Sequence, residues 1–167
     1  VGLSEEEFAQ ADEVVRIYDV KRTGLGSARP GWGMCDNGAG LCIIGEETLA
    51  PYEEHLRETF GLQGWQVHDA VLPWFRFGNS ERSQAVREVD LPIGIRGCYF
   101  GILRVCVVKG RVPLLLSNKL FKALGMQMDF AADTLRSAAL QEPPTTERLT
   151  SGHYLMRLDE FPARVTW

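Results

Sequence analysis

Residues 34–44 read Met-Cys-Asp-Asn-Gly-Ala-Gly-Leu-Cys-Ile-Ile, MCDNGAGLCII, two short apolar pieces around a turn of small and polar residues. The pattern predicts strand, turn, strand. Asn and Gly tolerate positive φ, and Asp can hydrogen-bond its own turn, so Asp36-Asn37-Gly38 suits a tight turn. An aspartate between buried strands is nevertheless costly unless it is hydrogen-bonded or functional. Asp36 is therefore the first residue to explain.

Outward from this stretch the chain is strand-rich. Glu46 to Phe60 places Leu49, Tyr52, Leu56 and Phe60 at helical spacing, with Gly61 and Gly64 to close the helix and Pro51 as its start or a break. Residues 65–78 read as extended. Residues 79–89, NSERSQAVREV, suit a hairpin tip and return. LPIGIRGCYFGILRVCVVKG (91–110) is the strongest strand region, split at Gly97. Pro113 opens PLLLS, and Asn118 to Leu124 forms a short helix ended by Gly125. MQMDF (126–130) is a strand, 133–152 is turn-rich with a possible coil at TLRSAAL, and HYLMRL (153–158) is a last strand. Upstream, SEEEFAQ (4–10) suits a helix start, EVVRIYDVK (13–21) an edge strand, and 23–33 a loop. The expected class is all-β, a small closed barrel with one or two short helices, rather than alternating βαβ units.

The bulk properties narrow the partners. A chain of 167 residues with 45% hydrophobic and 24% charged residues suits one globular domain. A net charge of -4, with 18 scattered basic residues, argues against nucleic acid and anionic membranes. No apolar run approaches the roughly 20 residues of a spanning helix, and VGLSEEEF does not read as a signal peptide. The four cysteines lack CxxC spacing and are expected to be buried thiols in the cytoplasm or another reducing compartment. His55 and His68 lie in different elements with no third ligand, so no metal and no cofactor is expected. The chain begins with Val rather than Met, which suggests a processed fragment and leaves room for a larger parent chain.

A resemblance emerges when two motifs are taken together. An apolar pair, Asp-x-Gly-Ala and a second short strand resemble the active-site loop of retroviral-type aspartic proteases, the retropepsins. VPLLLSNKLFKALGMQMDF (112–130) is similar to the second hallmark of those enzymes, an apolar strand, a short helix and a strand after Leu-Gly. The long interval between the motifs resembles the retrotransposon-derived and domesticated branches, as do Phe75–Asn79, Leu91–Gly97 and Gly152–Tyr154. The resemblance covers roughly 32–158. It implies a retropepsin-like domain over 32–167 and an N-terminal extension or extra strand over 1–31.

The resemblance also implies a homodimer that cleaves an extended peptide or polyprotein. Each chain would supply one catalytic Asp36, and the pair would share a proton and activate a water. Asn37, Gly38 and Ala39 would form the active-site loop. A flap over 74–86, with Phe77, Gly78 and Asn79 near its bend, would cover substrate, with 94–101 as a competing candidate. Trp32, Leu116 and Ser117 would help line the substrate groove.

Two departures stand out. Asn37 occupies the place of the usual Thr or Ser, whose hydroxyl grips the partner loop, and Ser117 stands where Gly is common. Asn donates and accepts as well, but with a longer, planar amide. The alternative is a module that keeps the fold without catalysis and serves dimerisation or peptide binding, with an unrelated small barrel as a third reading. His153 is expected to be a hydrogen-bonded histidine at a strand start.

Overall fold

The computed structural model describes residues 28–36, 38–68, 71–76 and 82–162. The helix expected at 4–10 and the edge strand at 13–21 lie outside the described residues.

The strand-turn-strand reading holds, with an unexpected intruder. β1 (Trp32–Cys35) and β2 (Ile43–Gly45) flank the turn, yet they do not pair with each other. Between them lies β8 (Leu115–Leu116). It runs parallel to β1, with Met34 beside Leu115 and Cys35 beside Leu116, and antiparallel to β2 at Ile43. Leu114, Leu115 and Leu116 are all buried because this strand has side chains packed on both faces. An apolar run without alternation is what such a strand requires.

The helix over Glu46–Phe60, α1, follows β2 directly. Its buried stripe is Thr48, Leu49, Tyr52 and Leu56. Pro51 does not break it, which corrects the expected start or break. Pro51 and Glu47 are both exposed, so the carbonyl that loses its intrahelical partner can be solvated. Gly61 ends the helix at φ 67°, with its N–H and that of Leu62 returning to the Arg57 and Leu56 carbonyls.

After β3 (Trp65–Val67), β4 (Trp74–Arg76) pairs with β5 (Arg82–Gln84) as a separate two-stranded piece. A long hairpin follows, β6 (Arg87–Ile95) and β7 (Cys98–Val108), turning at Arg96 and Gly97 with φ 53° and 75°. Two positive-φ residues match the strand twist of a two-residue hairpin loop. Beyond β8, α2 (Asn118–Leu124) is capped by Ser117, whose Oγ accepts from the Leu120 N–H at 3.3 Å. Then come β9 (Met126–Asp129), β10 (Thr134–Ser137), β11 (Thr146–Arg148) and β12 (Tyr154–Arg157). Thr134–Ser137 is a strand paired with β9, not the brief coil expected there.

The main sheet runs β11-β12-β1-β8-β2-β7-β6-β3 and is mixed, mostly antiparallel. It is open, which corrects the expectation of an all-β closed barrel of retropepsin type. Its end strands, β11 and β3, have three residues each and do not pair with one another. The sheet does curl. Gly94 exchanges main-chain hydrogen bonds with Leu158 and Glu160 at 2.8 and 3.1 Å. That contact is one isolated bridge, Gly94 with Asp159, and no ladder extends from it. Among the described residues the architecture is an open sheet with two helices, and the protease label that leaned on a closed barrel loses that support.

Alternation along the central strands produces two cores. Ile44, Val105, Val107, Leu116 and Met156 pack with α1 on one face. Met34, Ile43, Cys106, Val108, Leu115 and Leu155 pack with Phe75 and Ala85 on the other. Of the cysteines, Cys42 and Cys106 are buried thiols, Cys35 is half-buried, and Cys98 is exposed, contrary to expectation.

The crossing is tight at Gly45, whose N–H donates to the Val112 carbonyl at 2.8 Å. A Cβ there would overlap the Gly110 carbonyl oxygen and the Val112 nitrogen, which are main chain and cannot rotate away. Gly45→Ala is expected to destabilise the fold by about 3 kcal/mol. Gly61→Ala, strained in φ but with open space around it, is expected to cost about 1 kcal/mol. Urea denaturation of the two variants tests the ranking.

Candidate functional site

Asp36 follows the last residue of β1 and remains tied to β8, its N–H donating to the Leu116 carbonyl at 3.2 Å. The chain then turns. The Ala39 N–H donates to the Asp36 carbonyl at 3.0 Å, and the Gly38 N–H donates to Asp36 Oδ1 at 3.0 Å. The Ala39 carbonyl accepts from the Asn118 N–H at 2.8 Å, which fastens the loop to the start of α2. Cys42, just before β2, closes the far side. Its Sγ accepts from the Ser117 N–H at 3.4 Å and lies 3.5 Å from Ser117 Oγ. The loop is thus fixed to the β8–α2 junction at both ends.

Asp36 is only 4% exposed. Burial raises its pKa, because the low-dielectric surroundings penalise the carboxylate. The Gly38 and Ala39 amides and the charge of His153 pull the other way. Burial prevails, so this carboxyl holds a proton at higher pH than an ordinary aspartate. Its neighbour Cys35 is pushed up to about 12 by burial and by the Asp36 charge, which makes it a poor nucleophile at neutral pH.

The structure brings Asp36, Gly38 and Ala39 together. Ala39 is fully buried in the second core, so its side chain packs inward. Leu116 is fully buried in the first core. Ser117 is buried as the α2 cap and the partner of Cys42. Both brace the loop through main-chain and capping contacts. Trp32 stands at the other end of β1, roughly 13 Å along the strand, with the Arg29 guanidinium 5.0 Å from its ring. Asn37, Phe77, Gly78 and Asn79 lie outside the described residues. On either side of the expected flap bend, Trp74, Phe75 and Arg76 pair with Gln84, Ser83 and Arg82. The competing segment 94–101 forms the turn of the β6–β7 hairpin, whose Gly97 N–H donates to the Glu160 carbonyl at 3.0 Å.

A feature that sequence reasoning missed lies beside this loop. A pocket of about 360 Å³ opens between the end of β1, α2, the β9–β10 hairpin and the start of β12. Its apolar wall includes Cys35, Phe121, Met126, Met128, Leu135 and Tyr154, and its polar members include Asn118 and His153. The signal for it in the sequence is the alternation of Met126, Met128 and Phe130. His153, expected as a hydrogen-bonded histidine, has Nδ1 3.0 Å from Ser151 Oγ.

Comparison with known proteins finds no matching family model, curated protein or solved structure.

The raised pKa of Asp36 gives a signed prediction. A carboxyl with a higher pKa in the folded chain than in the unfolded one makes stability fall as pH rises from the unfolded value through the folded value. Asp36→Asn removes that loss while keeping an acceptor for the Gly38 N–H. At protein concentrations that keep the chain monomeric, its melting temperature is expected to exceed that of the wild type at neutral pH. The gap should close as pH falls below the ordinary aspartate range. A gap of the same size at every pH would rule out this account.

Proposed function

We propose that the chain is one half of an aspartic endopeptidase that acts as a homodimer on extended peptides. The observation that carries the reading is the setting of Asp36. It is a buried carboxyl at a strand end, with its pKa raised and a main-chain N–H on one oxygen. The reading draws on the sequence resemblance of MCDNGA and VPLLLS, and does not depend on a closed barrel.

Two such carboxyls brought together cannot both ionise, so one keeps its proton and the other remains a base. The ionised member would take a proton from water as it attacks the scissile carbonyl, and the protonated member would donate a hydrogen bond to that carbonyl oxygen. The Gly38 N–H already stabilises one oxygen of each carboxyl. Asn37 supports a second reading, a dimerising or peptide-binding module without catalysis, because an amide there replaces the hydroxyl that grips the partner loop. A misplacement of about 1 Å between the carboxyls is enough to lower the rate by about 100-fold.

The test is cleavage of an unfolded protein between about pH 4 and 7, where a shared-proton pair is active. Cleavage is expected to be blocked by a statine-type inhibitor and lost in Asp36→Ala. Asn37→Thr is expected to raise the rate at least about tenfold. Cleavage that survives Asp36→Ala would remove the catalytic assignment. A stable dimer in sedimentation, with no cleavage in the wild type or in Asn37→Thr, would favour the binding module.

A further inference from the structure

We infer that the pocket beside the Asp36 loop seats one bulky apolar side chain, aromatic or long aliphatic, of a bound peptide. That the occupant is a peptide rests on the endopeptidase reading; the binding chemistry rests on the pocket itself. Its volume, about 360 Å³, is at the small end for ligand pockets. Such sites combine a mainly apolar lining with a few polar groups that fix orientation.

The lining has that composition. Met126 and Met128 stand on the same face of β9, and Leu135 opposes Met128 across the hairpin. Unbranched thioethers adapt to apolar groups of differing shape and make favourable contacts with aromatic rings. Phe121 and Tyr154 supply ring surface. The Tyr154 hydroxyl is occupied, donating to Asp133 Oδ1 at 2.6 Å, so it presents ring rather than a free donor. The polar capacity lies in the Asn118 side-chain amide and the second ring nitrogen of His153. Neither has a hydrogen-bond partner among the described residues, and both residues line the pocket. They suit the main-chain groups flanking the seated side chain.

The pocket is also rigidly linked to the carboxyl. Asn118 donates its N–H to Ala39, and Ala39 closes the turn on Asp36. Cys35, the residue before Asp36, forms part of the wall. A side chain held here is therefore connected to Asp36 through two main-chain hydrogen bonds and one peptide bond.

Methionine methyl NMR tests the inference directly, because the chain has four methionines. Met126 and Met128 line the pocket, while Met34 and Met156 are fully buried elsewhere and serve as internal references. Titration with N-acetyl-phenylalaninamide or N-acetyl-leucinamide is expected to shift the Met126 and Met128 signals saturably and leave the references in place. N-acetyl-alaninamide and the glutamate analogue should shift none of them. Met128→Trp fills the pocket from a half-exposed strand, and is expected to weaken phenylalaninamide binding at least about tenfold, read at Met126. Unmoved references confirm that this variant is folded.

Equal response to the alanine and phenylalanine amides would overturn the inference, as would no saturable response. Met126 and Met128 shifts that track protein concentration without ligand would assign the pocket to a second copy of the chain, and would also overturn it. The same titration in Asp36→Asn separates the two readings. Selective binding with no Asp36-dependent cleavage would leave the side-chain pocket standing and remove the peptidase.

Discussion

The insertion of β8 between β1 and β2 is the constraint on which the rest of the structure depends. A buried strand must satisfy its main-chain groups on both edges, since an unpaired amide in the core costs about as much as a lost hydrogen bond. The crossing does this with few residues. Met34 donates to Leu114, Asp36 donates to Leu116, and Gly45 donates to Val112. Each bond ties a segment before α1 to one far downstream, so the crossing forms only when distant parts of the chain meet. Gly45 allows the close approach, and the leucine run fills both faces. Once β8 is in place, the turn at Asp36 has nowhere to go but around its end.

The loop's properties follow from that enclosure. Asp36 is buried because it leaves β1 where β8 ends, and because α2 starts immediately beyond. Burial disfavours the carboxylate, while the turn returns one N–H to it. The raised pKa is the balance of the two. Ser117 contributes without touching the carboxyl: its hydroxyl caps α2, and its N–H engages Cys42. This small polar residue at the crossing ties the far end of the loop, at Cys42, to the start of α2.

Local elements were legible in the sequence, and long-range pairing was not. The helical spacing from Leu49 to Phe60 and the stop at Gly61 identify α1. Asn118 to Leu124 with Gly125 identifies α2, and the apolar strands around Gly97 identify the long hairpin. These depend on neighbours a few residues apart. That β8 separates β1 from β2 depends on pairing between Met34 and Leu115, far apart in the chain, and no periodicity within MCDNGAGLCII encodes it. The closed barrel failed for a related reason. Closure is decided at the sheet ends, where β3 and β11 are too short and too exposed to form a seam, and Gly94 supplies a single bridge. The pocket was hidden because Met126 and Met128 look like any strand residues until α2 and β12 are set against them.

Asp36 is clearest in contrast with the other buried aspartate. Asp159 is also 4% exposed. Its two oxygens are engaged, one by Arg157 Nε at 2.7 Å and the other by His55 Nε2 at 2.7 Å. Gly31 leaves room for this cluster, since a Cβ there would overlap the carboxylate. Removing either partner is expected to be costly, because a buried oxygen would lose its hydrogen bond. Asp159 joins α1 to the segment after β12. Asp36, buried to the same degree, has one side-chain hydrogen bond from an amide and no cation in contact among the described residues. Its proton is therefore controlled by burial and by the Gly38 and Ala39 amides rather than by a salt bridge. Equal burial with different compensation separates the carboxyl engaged by Arg157 and His55 from the one met by main-chain amides.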